Sequence, residues 1–164
     1  MRFEVVHTFA YDPDKVADAI LDEDYQHSLE DVESVEHREL LSQEERPDGT
    51  VVRRTRCVLD IHITGVAKSF IGDGDPAWVE EATWHPQRME WAWIVIPEIG
   101  VGLLDAKGTI ALRANGNGTA RVIEGDVKVR VPLYGGKVEG WIVDGIEQGY
   151  AEEAERLEEW LKRS

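Results

Sequence analysis

Residues 135–162 read GGKVEGWIVDGIEQGYAEEAERLEEWLK, the one long helical pattern in a chain of 164 residues. Almost everything before it carries strand periodicity. Such a chain must cover the apolar face of a sheet with a single helix, which leaves few architectures open. At 100° per residue Val138, Ile142, Gly145, Ile146, Gly149, Leu157 and Trp160 fall on one broad stripe, while Gly140 points away. Each interior glycine costs about 0.5–1 kcal/mol relative to alanine. Gly145 and Gly149 nevertheless sit in the middle of the stripe, between larger residues, so the helix presents a notch to the sheet. Either the sheet approaches closely there or a hollow is left between them.

The rest of the chain supplies that sheet. Phe3, Val5, His7 and Phe9 alternate with Arg2 and Glu4 as in a half-buried strand. Asp12-Pro13 is a helix start, followed by Val16, Ala17, Ile20 and Leu21 at helical spacing. Tyr25, Leu29 and Val32 mark a second short helix. Residues 34–46 and 50–63 form a hairpin about Pro47-Asp48-Gly49, with Thr55, Cys57, Leu59, Ile61 and Ile63 on one face and Arg54, Arg56, Asp60 and His62 on the other. Gly72–Pro76 is a loop. Val79–Thr83 and Met89–Ile96 make a second pair, and 103–113 with 119–131 a third about Asn115-Gly116-Asn117-Gly118. Ile123, Val127, Val129 and Val131 form the apolar face of the last strand. The expected fold is α+β in one domain, residues 1–164: a strongly bent antiparallel sheet of about seven strands wrapped around the C-terminal helix, with two short helices after the first strand. This is a helix-grip arrangement.

Thirty-three acidic residues against eighteen basic ones give a net charge of −15. Such a surface repels phosphate backbones and anionic headgroups, which disfavours nucleic acid and membrane surfaces as partners. No apolar run approaches the roughly 18 residues of a membrane span, so no membrane insertion is expected. The opening MRFEVVHTFAYD is a strand pattern and not a charged-then-apolar leader. With the single cysteine, Cys57, this points to a cytoplasmic protein.

The element order resembles the START-like superfamily, also called SRPBCC, which includes the birch-pollen allergens and the polyketide cyclases. VPLYGGKVEGWI before and into the final helix, Thr83-Trp84, and Gly108-Thr109 with Leu112 ahead of a glycine-rich hairpin resemble a bacterial family of uncharacterised START-like proteins. The resemblance spans essentially the whole chain. It implies a deep apolar cavity between sheet and long helix that holds a hydrophobic small molecule or lipid, and it favours the hollow over close packing at the notch. Some members of the superfamily are cyclases or hydrolases, and many are binders.

The candidate ligand-binding residues follow from the faces that should turn inward. They are His7 and Phe9 on the first strand, Cys57, Leu59 and Ile61 on the third, and Trp91 and Trp93 on the fifth. Val127 and Val129 join them from the last strand. The helix contributes Trp141, Ile142, Gly145, Ile146, Gly149 and Tyr150. Aromatic side chains combine large area with a polar N–H or O–H, which suits a cavity lining as well as a core.

No cofactor, metal ligand set or catalytic group is expected. None of the five histidines sits in HExxH or at zinc-ligand spacing. Cys57 has no neighbouring base, no serine lies in G-x-S-x-G, and Asp105 interrupts the GxG at Gly100–Gly102. Glu139 in the first turn suits the helix dipole. Glu153 is expected to lean outward, and the two carboxylates lie roughly 20 Å apart along the axis, too far to act as a pair. Hence the leading expectation is a carrier or sensor of a hydrophobic molecule. The alternatives are a cyclase, dehydratase or hydrolase using His7 or Tyr134 as acid or base, and a protein-interaction module working through the acidic surface.

Overall fold

The computed structural model describes residues 1–33, 35, 37–58, 69, 74 and 76–164. Strand β1 (Arg2–Phe9) leads into helices α1 (Pro13–Leu21) and α2 (Glu23–Ser28). Among the described residues six further strands follow: β2 (His37–Glu45), β3 (Val51–Val58), β4 (Ala77–His85), β5 (Glu90–Pro97), β6 (Leu104–Asn115) and β7 (Gly118–Val129). Helix α3 (Gly135–Arg163) closes the chain. The strands form one bent antiparallel sheet in the order β1-β7-β6-β5-β4-β3-β2. No helix among the described residues is long and apolar enough to cross a membrane.

Local chemistry accounts for the boundaries. Asp12 caps α1 by accepting from the Lys15 amide at 3.0 Å, with Pro13 in the first turn, and Asp22 caps α2 by accepting from Asp24 and Tyr25. Asp48 accepts from both the amide and hydroxyl of Thr50, and Gly49 takes the positive φ that the β2–β3 turn requires. The expected strand over 50–63 is described as far as Val58; Leu59 and Ile61 lie outside the described residues. Helix α3 has no side-chain cap. Its first residue, Gly135, lies against β7 so closely that a Cβ would strike the Val129 carbonyl oxygen.

A second glycine pair faces itself across β6 and β7. Phe3, Gly125, Gly108 and Trp93 stand side by side across β1, β7, β6 and β5. The Phe3 and Trp93 rings meet over the two glycines with centroids 6.3 Å apart. A Cβ on Gly125 would lie 2.5 Å from Phe3 and 2.8 Å from Trp93, so the rings occupy the space that side chains would take. Beneath them Val127, Ile123, Val138, Ile142 and Val143 form a packed core under the first half of α3. Under its last turns Leu157 and Leu161 pack into the same core as Val16 and Ile20 of α1, and the Tyr25 and Trp160 rings lie 5.6 Å apart.

Candidate functional site

Between these two packed ends the helix and sheet separate around a cavity of about 120 Å³. Its apolar walls are Ile20, Leu29, Val32, Val35, Trp78, Trp93, Val95, Ile110 and Ile146. Gly145 and Gly149 form part of the helix wall. A Cβ placed on Gly145 would meet nothing within 4 Å, so at this position the notch is a hollow and not a close contact. Tyr150 follows on the same face.

Charged groups converge on the same space. Arg53 and Cys57 flank Thr55 on the inner face of β3, Glu80 lies beside Trp78 on β4, and Arg121 projects from β7 between Thr119 and Ile123. Arg38 reaches in from β2 and Glu153 from α3. Arg121 is fully buried. It donates to Glu153 at 2.7 Å and to the Tyr150 carbonyl at 3.1 Å. Arg53, 6% exposed, donates to the Ile20 carbonyl at 3.0 Å and lies over the Trp91 ring at 4.2 Å. Its Nε has no hydrogen-bond partner among the described residues.

Burial governs the titration of Glu80, Tyr150, Cys57 and Arg53. It raises the Glu80 carboxyl above the usual carboxylate range, against the pull of Arg53 and Arg38. It also holds the Tyr150 hydroxyl well above its ordinary value and pushes the Cys57 thiol up to about 12. Burial and the neighbouring Arg38 both lower Arg53. In this setting Tyr150 is a neutral hydroxyl and Cys57 a thiol.

Six of the fifteen candidate residues line the cavity: Cys57, Trp93, Gly145, Ile146, Gly149 and Tyr150. Trp91, Val127, Val129 and Ile142 are buried in the surrounding core. Trp141 points outward, 38% exposed, with the Lys137 ammonium 5.2 Å from its ring. Trp141 lies outside the helical stripe and is expected at the cavity as an aromatic beside the notch, but the buried residues of that turn are Val138, Ile142 and Val143. His7 and Phe9 do turn inward on β1, yet they border a surface groove beside the second half of α3 and not the cavity. The His7 Nδ1 accepts from Arg121 at 3.3 Å, and burial followed by the Arg121 charge lowers its pKa. Tyr134 is exposed at the start of α3.

Two carboxylates differ from expectation. Glu153 turns inward because the buried Arg121 requires a counter-charge. Glu139 lies beyond the first turn and is buried, accepting from the Val129 amide at 2.9 Å and from the Met1 amino group at 3.3 Å. It joins the start of α3 to β7 and β1. The charged lining of Arg53, Glu80 and Arg121 was not anticipated, although its signal is present. Each occupies an in-phase position of an apolar alternation: Arg53 with Thr55 and Cys57, Glu80 with Trp78 and Ala82, Arg121 with Ile123 and Val127. Among the described residues no cluster of His, Cys, Asp and Glu could hold a metal ion.

Comparison with solved structures places this architecture. The Thermus thermophilus protein TTHA0849 superposes with a TM-score of 0.68 at 17% identity, covering 99% of this chain and 98% of that one. The Zhui aromatase/cyclase from Streptomyces sp. R1128 gives 0.68 at 14% identity, covering 99% and 94%. A START superfamily protein from Mycobacterium smegmatis gives 0.58 at 11% identity, covering 99% and 97%. The fold is therefore the START-like helix grip. No curated protein matches the chain in sequence. Residues 4–161 match the model of the family described as "Protein of unknown function (DUF2505)", and the chain belongs to that family.

Proposed function

We propose that this DUF2505 member binds a small, largely apolar molecule in the cavity between its sheet and α3. The observation that carries this reading is the hollow at Gly145, opposite a lining that includes Trp78, Trp93 and Val95. Glycine in a helix interior is costly, and here no neighbouring atom demands it. Open volume is what it provides. Apolar cavities of about 150 Å³ bind benzene-sized molecules, whereas drug-sized ligands occupy sites of about 300–1,000 Å³. The volume here suits a group the size of one aromatic ring, which favours a small molecule over a whole lipid. A carrier or sensor in the cytoplasm is the role this supports.

A second reading, catalysis, draws on the polar groups that line the cavity. His7 and Tyr134 are not among them, so any acid–base step would fall to Glu80, whose burial favours the protonated acid, with the Tyr150 hydroxyl on the facing wall.

The test is titration of the ¹⁵N-labelled protein with indole, followed by NMR. Shifts confined to Trp93, Ile110, Gly145 and Ile146 are expected. Gly145→Leu, whose Cβ would meet no atom within 4 Å and whose remaining carbons would fill the hollow, should abolish them without lowering the melting temperature. Binding undiminished in a folded Gly145→Leu protein would refute the assignment.

A further inference from the structure

From Arg38 and Arg53 we infer that the ligand carries a carboxylate, held by these two guanidinium groups while its apolar body rests against Trp78 and Trp93. This rests on the cavity reading above and adds the chemical class of the ligand. Among the described lining residues three guanidinium groups face two carboxyls. Glu153 is taken up by Arg121 at 2.7 Å. Neither Arg38 nor Arg53 has a carboxylate within ion-pair distance among the described residues, and Glu80 is the one acid left to them. A positive wall inside a chain of net charge −15 runs against the protein's overall balance.

The two arginines are also held in place. The buried side chain of Gln26 donates to the Ile20 carbonyl at 2.8 Å, and that oxygen accepts from Arg53 as well. The Gln26 side-chain and main-chain oxygens accept from the two terminal nitrogens of Arg38 at 2.9 and 3.0 Å. One glutamine thus links both guanidinium groups to the end of α1. The Trp91 ring lies against the Arg53 guanidinium, 4.2 Å from centroid to central carbon. Arg53 keeps its Nε without a partner among the described residues although the side chain is more than nine-tenths buried. Two like charges fixed near one another, one with an unused donor, form a receptor for an anion. The planar fork of arginine matches a carboxylate, which can accept two parallel hydrogen bonds.

Benzoate and benzamide share one body and differ in the charged group, which makes them the probes. Their affinities for the full-length protein are measured by NMR titration at about pH 7.5, where a benzoic acid is ionised. Benzoate should bind about tenfold or more tightly than benzamide, as charge-assisted hydrogen bonds require. In Arg53→Gln, with folding checked by circular dichroism, the preference should fall to within about threefold, and Arg53→Lys should restore part of it. Arg38→Gln should weaken benzoate selectively if Arg53→Gln fails to fold. Equal affinities in the wild type, or an undiminished preference in folded Arg53→Gln, would overturn the inference and leave the cavity reading standing. Binding of neither probe overturns both.

Discussion

Arg121 on β7 and Glu153 on α3 form an ion pair at 2.7 Å whose cationic half is fully buried. The same guanidinium donates to His7 on β1 and to the Tyr150 carbonyl, and its face lies near the Phe9 and Tyr150 rings. One side chain therefore ties together the first strand, the last strand and the helix at the point where the cavity begins.

Removing the acid should cost more than removing the pair. Loss of one partner from a buried pair typically costs about 3–5 kcal/mol. Glu153 keeps 23% of its side-chain exposure, so water can partly replace it and Glu153→Ala should lose about 2–3 kcal/mol. The double variant Arg121→Met/Glu153→Ala should lose less than Glu153→Ala alone, because no charge is left stranded. Urea denaturation gives both values. A loss below about 0.5 kcal/mol for Glu153→Ala would mean the pair is structurally idle.

Glu80 should make stability depend on pH in a recognisable direction. Its folded pKa is raised above 4.5, so its contribution is fully present below that value and is lost as pH rises through the folded pKa. Glu80→Gln removes the titration. The stability difference between Glu80→Gln and wild type should favour the variant more at about pH 8 than at about pH 4.5. Parallel denaturation series at the two pH values check this, and a constant difference would show that Glu80 titrates alike in the folded and unfolded chain. Arg53, Arg38 and Glu153 act on Glu80, and all three are retained in the comparison.

Three glycines should respond to alanine in opposite senses. A Cβ on Gly108 would collide with the Glu124 carbonyl and lie 2.5 Å from Trp93, and one on Gly125 would overlap Phe3. Neither the Glu124 backbone at 108 nor the buried Phe3 and Trp93 rings at 125 can move aside cheaply, so each alanine there should cost about 2 kcal/mol or more. Gly145→Ala meets no atom and gains helix propensity, so it should stabilise by about 0.5–1 kcal/mol. Thermal unfolding of the three variants decides the matter, and a destabilised Gly145→Ala would contradict the hollow.

Cys57 should be slow to alkylate. With its thiol pushed up to about 12, little thiolate exists at about pH 8. Iodoacetamide should modify the native protein at least about tenfold more slowly than the urea-unfolded chain. Equal rates would place Cys57 in an open, polar setting.

The fold was legible because its signals are local. Asp12-Pro13, Pro47-Asp48-Gly49 and Asn115-Gly116-Asn117-Gly118 each mark a boundary with residues whose backbone preferences act within a few positions. The cavity was half legible. The glycines within the helical stripe pointed to Gly145, but the stripe is too broad to separate cavity from core at Ile142, and Trp141, outside the stripe, was included for its aromatic ring beside the notch. His7 was placed on the correct face of β1. Which part of the interior it borders depends on where the helix crosses β1, and strand parity says nothing of that. The charged lining was missed for a different reason. Arg53, Glu80 and Arg121 break an apolar alternation, and a reading that collects apolar positions passes over the exceptions that mark the site.

The four-residue row of Phe3, Gly125, Gly108 and Trp93 has an evolutionary corollary. Two rings occupy the volume of two absent side chains, so the positions are bound by a sum rule for bulk and not by separate preferences. A relative that gains a side chain at 125 must lose an aromatic at 3 or 93, and one that gains a side chain at 108 must also part its sheet at the Glu124 carbonyl. Drift at these sites should proceed by exchange, with bulk passing from one strand to its neighbour across the sheet.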